Sequence, residues 1–179
     1  MELVSIVKGI IFGMGSLVII WVSWPSMRCP RSHGFPRFFA FMAILALFLL
    51  NMDNWFRNPF SLLQVLSWIS LTASLAMALQ GFYLLKYVGR PEGNIEMTAN
   101  IVKIGAYRYI RHPLYTSLLL LAWGIGLKDL SPAGIVLMLL AAAALFTTAR
   151  FEEVENLRRF GEDYAAYMKV TKMFFPYLF

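Results

Sequence analysis

The chain has 179 residues, 59% of them hydrophobic and 15% charged, with a net charge of +6. Soluble domains carry about a quarter of their residues as charges, so lipid is the expected solvent, the length allows one domain, and the excess Lys and Arg report orientation without any need for nucleic acid. The lone Cys29 excludes an intrachain disulfide, His33 and His112 belong to no cluster with metal-ligand spacing, and no phosphate-binding glycine motif occurs.

Residues 3–22 read as a first membrane span, interrupted only by Lys8. The apolar run is longer than a signal-peptide core and no A-x-A-like site follows, so this span is expected to stay. Its Gly9 and Gly13 form a GxxxG, a pattern that serves close helix packing when it serves anything. Residues 38–52 make a short second span and residues 62–85 a third. Residues 114–127, again short, and 133–149 make the fourth and fifth. Between these last two, Ser131 suits an N-cap and Pro132 the first helical position, which predicts a tight antiparallel hairpin.

The fold class expected is therefore all-α, an integral-membrane helical bundle of about five spans with a C-terminal amphipathic helix. It is one domain over 1–179, with three spans in 1–88 and a loop, hairpin and final helix in 89–179. Basic residues alternate between loops as five spans require. Arg28, Arg31 and Arg37 follow the first span; Lys86, Arg90, Lys103, Arg108 and Arg111 follow the third; Arg150, Arg158, Arg159, Lys169 and Lys172 follow the fifth. The other two loops hold only Arg57 and Lys128 as basic residues. This bias puts the N-terminus outside and the C-terminal tail in the cytoplasm.

Chemistry concentrates after Gly89. His112 precedes a proline, which pushes its backbone toward extended geometry, and Pro113 fits a first helical turn. His112 thus sits at the start of span four, where free N–H groups attract anions and Arg108 and Arg111 add positive charge. The ordinary reading of the same residues is an interfacial Arg/Tyr/His belt. A second cluster, Arg150-Phe151-Glu152-Glu153, follows span five directly. Acidic residues against a membrane usually have a task or a partner, although Glu152, Glu155, Arg159 and Glu162 also fit ordinary surface pairing on a helix. The hairpin returns this cluster to the His112 face. An anion site beside carboxylates suits a ligand carrying both charges, such as an amino-acid moiety next to a sulfonium. The tail after Glu152 is amphipathic, with Leu157, Phe160, Tyr164 and Tyr167 on its apolar side, and is expected to lie on the membrane or cover the site.

At these residues the chain resembles the isoprenylcysteine carboxyl methyltransferases and the related phospholipid methyltransferases. The shared pattern reads here Gly105, Tyr107, Arg111-His112-Pro113-Leu114-Tyr115, then a hairpin, then Glu152-Glu153 and Phe160-Gly161 with Tyr164 and Tyr167. The resemblance covers the C-terminal half. It implies S-adenosylmethionine held by Tyr107, Arg111, His112, Pro113, Leu114, Tyr115 and Glu152, with Ala99, Asn100, Ile101 and Val102 at the place of a further contact stretch. It also implies catalytic roles for Arg150, Glu152 and Glu153, no metal, and a lipophilic acceptor entering from the bilayer. Thr147 and Thr148 stand where prenylcysteine enzymes carry arginines, which leaves Arg150 as the nearest holder of a substrate carboxylate. The expected activity is carboxyl methylation of an isoprenylcysteine-like acceptor at the cytoplasmic face of a cell or endoplasmic-reticulum membrane. The alternatives are lipid-amine N-methylation, an NADPH-dependent membrane reductase on a related scaffold, and a non-enzymatic membrane protein.

Overall fold

The computed structural model describes residues 2–27, 34–91 and 98–177. Among them are six α-helices: α1 Glu2–Met27, α2 Gly34–Asn51, α3 Leu62–Leu84, α4 Pro113–Gly126, α5 Pro132–Phe160 and α6 Glu162–Val170. There is no named strand among the described residues. Helices α1, α2, α3 and α5 are long and apolar enough to cross a membrane, and the protein is an integral-membrane helical bundle. Helix α4 has 14 residues, about 21 Å at 1.5 Å per residue, which is short of a hydrocarbon core of about 30 Å.

Two boundaries differ from the sequence expectation. The second span begins four residues earlier, at Gly34, because Pro36 falls in the first helical turn, where its missing N–H costs nothing. The fifth does not stop at Ala149, since no breaker follows, and α5 runs to Phe160. It ends where Gly161 takes a positive φ of 55°, open to glycine at little cost, so the amphipathic tail is divided between α5 and α6. Cys29, His33, Arg28 and Arg31 lie outside the described residues.

The chain divides into two compact units. The first comprises Met1–Leu71 and Leu121–Phe151. Here α1 meets α2 at Gly15, where an added Cβ would touch Leu45 Cδ2 at 3.0 Å. Gly9 and Gly13 have nothing within 4 Å, so the GxxxG makes no close packing here. Lys8 Nζ pairs with Asp53 Oδ2 at 2.5 Å. Ser131 Oγ accepts the Gly134 N–H at 3.1 Å and so caps α5, which starts at Pro132 as its sequence requires. Lys128 is buried beside the cap, donating to Gln64 Oε1 at 2.9 Å with its ammonium 3.6 Å above the Trp68 ring. Burial holds its pKa below the usual lysine range.

Also in this unit, α3 and α4 cross closely through small residues. Ser67 Oγ donates to the Gly124 carbonyl at 2.6 Å, and a Cβ on Gly124 would lie 2.8 Å from the Leu71 side chain and 3.2 Å from its backbone N. Small residues let membrane helices approach like this, and a backbone neighbour cannot yield. Gly124→Val is therefore expected to lower stability by about 1–3 kcal/mol through overpacking. Ser67→Ala should cost about 1 kcal/mol for one lost hydrogen bond. Thermal unfolding of the detergent-solubilised variants reads both, and an unchanged midpoint for Gly124→Val would rule out the close crossing.

The second unit comprises Thr72–Leu120 and Glu152–Phe179. Here Ser74 Oγ donates to the Ser117 carbonyl at 2.7 Å. At the end of α3, Leu85–Gly89 forms one π-helical turn. Leu84, Val102 and Tyr107 then form a small core packed against Leu85.

Candidate functional site

The site is assembled in the second unit, beginning at Gly105. Its φ of +58° and the 2.7 Å between an added Cβ and Leu84 Cδ1 both demand glycine. From there a 3-10 turn, Gly105–Arg108, buries Tyr107. The next residues pair with the segment that follows α6, through an isolated parallel bridge between Ile110 and Lys172. Lys172 N–H donates to the Tyr109 carbonyl at 3.0 Å, Arg111 N–H to the Lys172 carbonyl at 2.8 Å, and His112 N–H to the Met173 carbonyl at 3.2 Å. Thr116 Oγ1 adds a 3.0 Å bond to the Phe174 carbonyl. Helix α4 then opens at Pro113, as X-Pro geometry requires.

This pairing narrows the anion site expected at the start of α4. The Arg111 and His112 N–H groups already have acceptors and Pro113 has no N–H, so Leu114 is the first residue of the helix whose amide can serve a ligand.

The two glutamates divide the work between them. Adjacent helical residues point about 100° apart, and Glu153 turns inward, with its side chain 3% exposed, while Glu152 faces a cleft. Glu153 Oε1 accepts Arg111 Nε at 2.6 Å. The Arg111 guanidinium also donates through Nη1 to the carbonyls of Thr171, at 2.5 Å, and Met168, at 3.3 Å. Its charge is spent on the protein, although Arg111 contributes to the cleft wall. Glu152 Oε2 accepts the Tyr115 hydroxyl at 2.6 Å. The His112 ring, 2% exposed, lies between the carboxylates, with Nδ1 4.0 Å from Glu152 Oε2 and Nε2 3.5 Å from Glu153 Oε1. It stacks on Tyr115 with centroids 5.5 Å apart. The Nε2 faces the Glu153 carboxylate at 3.5 Å without good hydrogen-bond geometry, which leaves its bonding capacity only partly used.

Tyr107, Arg111, His112, Leu114, Tyr115 and Glu152 come together around this cleft, with Ile101 and Val102 beside them. Ala99 and Asn100 do not line it; they are exposed, and their N–H groups close a turn onto the carbonyls of Arg90 and Gly89. Arg150 is exposed on α5 and is not a lining residue. Sequence reasoning missed Leu85, Thr98 and Asn156 as lining residues, and assigned Phe160, Tyr164 and Tyr167 only a covering role. A signal was present, because Glu152, Asn156 and Phe160 recur every four residues and so share one face of α5. Leu157, expected on the same apolar side, is exposed and does not line the cleft.

The phenols of Tyr107, Tyr164 and Tyr167 are pushed up from the ordinary tyrosine range, in each case chiefly by burial. They therefore stay neutral at physiological pH. The cleft thus presents neutral hydroxyls, an imidazole, amide donors and the Glu152 carboxylate. It encloses about 600 Å³ of empty space, mouth included.

A model of the family described as phospholipid methyltransferase matches residues 59–163, which contain all of α3, α4 and α5. A comparison with curated proteins found no match.

Proposed function

The chain belongs to the phospholipid methyltransferase family, and we propose that it transfers a methyl group from S-adenosylmethionine to a lipophilic acceptor at the cytoplasmic face of the membrane. The observation that carries this reading is the convergence of His112, Leu114, Tyr115 and Glu152 on one cleft. The residues fit the donor molecule. The Leu114 amide, with the His112 Nε2 as a second polar contact, suits its carboxylate end, and Glu152 suits its cationic end. Tyr107, Phe160, Tyr164 and Tyr167 offer aromatic walls for a nucleoside. When bound, S-adenosylmethionine supplies an electrophilic methyl group. The protein's part is to align the acceptor, exclude water and manage charge, which is where most of the acceleration in such displacements arises.

The acceptor the geometry favours is a lipid amine. With Arg111 committed to Glu153 and to two carbonyls, the lining residues leave Glu152 as the charge facing the cleft. An ammonium must lose a proton before it can attack, and Glu152, oriented by Tyr115, is the group placed to accept it. The second reading, carboxyl methylation of an isoprenylcysteine-like acceptor, draws on Arg150, a cation two residues before Glu152 on α5 that suits a substrate carboxylate. Such a nucleophile is already ionised and needs no base. With α4 taken as a fifth, short crossing, the basic loops favour the N-terminus outside and α6 in the cytoplasm.

Calorimetric titration of the detergent-purified protein with S-adenosylhomocysteine, against NADPH as control, tests the reading. Saturable binding of the first alone is the expected result. Binding of NADPH alone would replace it with the reductase reading.

A further inference from the structure

The segments on either side of residues 92–97 fold onto one another. The Ala99 and Asn100 amides bond to the carbonyls of Arg90 and Gly89, Val102 packs on Leu84, and an added Cβ on Gly89 would meet Thr98 Cγ2 at 2.6 Å. Burial alternates with charge along the returning stretch of chain. Val102 and Tyr107 point inward, while Lys103 and Arg108, the residues after each, are exposed. Lys86 and Arg90 are exposed beside them at the end of α3. None of these four cations makes an ion pair with a described residue. Tyrosines accompany them: Tyr83, Tyr87 and Tyr109 are 59%, 60% and 50% exposed. Lys86 Nζ lies 5.6 Å from the Tyr87 ring centre and the Arg108 guanidinium 5.9 Å from that of Tyr109. Glu92 and Glu96 lie outside the described residues.

Exposed Tyr rings mixed with Lys and Arg at the end of a membrane helix match a headgroup region that is both amphipathic and negative. We propose that Lys86, Arg90, Lys103 and Arg108, with Tyr83, Tyr87 and Tyr109, form a docking surface for anionic phospholipid headgroups. None of these residues lines the cleft, so the surface is independent of the methyl-transfer reading. Its effect is to enrich anionic lipid around this end of α3.

The test is electron paramagnetic resonance of chain-spin-labelled phosphatidylglycerol and phosphatidylcholine, with the protein reconstituted in phosphatidylcholine vesicles. The motionally restricted fraction should favour phosphatidylglycerol several-fold at low salt. That preference should fall toward one in roughly 1 M salt, where charges are screened beyond about 3 Å. It should also fall toward one in the variant Lys86→Gln/Arg90→Gln/Lys103→Gln/Arg108→Gln. The pair Lys86→Gln/Arg108→Gln, both exposed, serves if the fourfold variant does not fold, and should lose part of the preference. Equal restriction of both lipids by the unaltered protein, or a preference unmoved by the substitutions, would overturn the proposal. The vesicles contain no methyl donor, so a protein that keeps the preference yet fails to bind S-adenosylhomocysteine overturns the methyltransferase reading and upholds this one.

Discussion

Replacing Glu152 by glutamine is expected to lower methyl transfer by about 10²–10⁴-fold, the usual contribution of a positioned general base, while leaving the thermal midpoint nearly unchanged. Stability is spared because the side chain is 19% exposed at the edge of the cleft and the glutamine carbonyl can still accept the Tyr115 hydroxyl. The loss should have two parts. Binding of S-adenosylhomocysteine, which lacks the sulfonium charge, should weaken modestly, whereas binding of the cationic methyl donor should weaken more. With a lipid-amine acceptor, the residual activity should rise with pH as more amine becomes neutral in solution, and this dependence separates the amine reading from the carboxylate one. Full activity in Glu152→Gln would remove the residue from the mechanism.

The second large effect concerns stability. Arg111 and Glu153 are both nearly inaccessible, with side chains 10% and 3% exposed, and are joined at 2.6 Å. Removing one partner of a buried ion pair strands the other, at a cost of about 3–5 kcal/mol, whereas replacing both with apolar groups of similar volume is often close to neutral. Arg111→Met is therefore expected to unfold readily, and Arg111→Met/Glu153→Leu to recover much of the loss. A double-mutant cycle read by thermal unfolding gives the coupling directly. Recovery will be incomplete, because the guanidinium also serves the carbonyls of Met168 and Thr171. If the double variant loses as much stability as the two single variants added together, the pair is not coupled as its geometry requires.

Much of this architecture was legible in the sequence because it depends on local signals. The apolar runs, the Ser131-Pro132 start of α5 and the His112-Pro113 start of α4 each follow from a few neighbouring residues. The return of Glu152 to the neighbourhood of His112 follows from the short connection between α4, which ends at Gly126, and α5, which starts at Pro132. What stayed hidden depends on pairing between distant segments. Nothing in residues 109–112 announces that their hydrogen-bonding groups will be met by residues 172 and 173, since a bridge this short has no periodicity to read. The same pairing and the Thr171 carbonyl make Arg111 an internal clamp as well as a lining residue of the cleft. The exposure of Ala99 and Asn100 was equally hidden, because it is set by a turn closed onto the carbonyls of Gly89 and Arg90.

The late partners of Arg111 also bear on how the protein is made. Glu153 follows it by 42 residues and the Thr171 carbonyl by 60. At synthesis rates of about 5–20 residues per second, the guanidinium therefore waits roughly 3–12 s for the last of its contacts. Throughout that interval it is an uncompensated cation at the entrance of a nascent helix, the state in which the insertion machinery can sort it by charge. On the proposed orientation, one arginine serves first as a topological signal while the hairpin is threaded into the bilayer and then as a buried keystone once the chain behind it arrives. A substitution there should show first as mis-inserted chains during biogenesis, before any purified protein reports a change in stability.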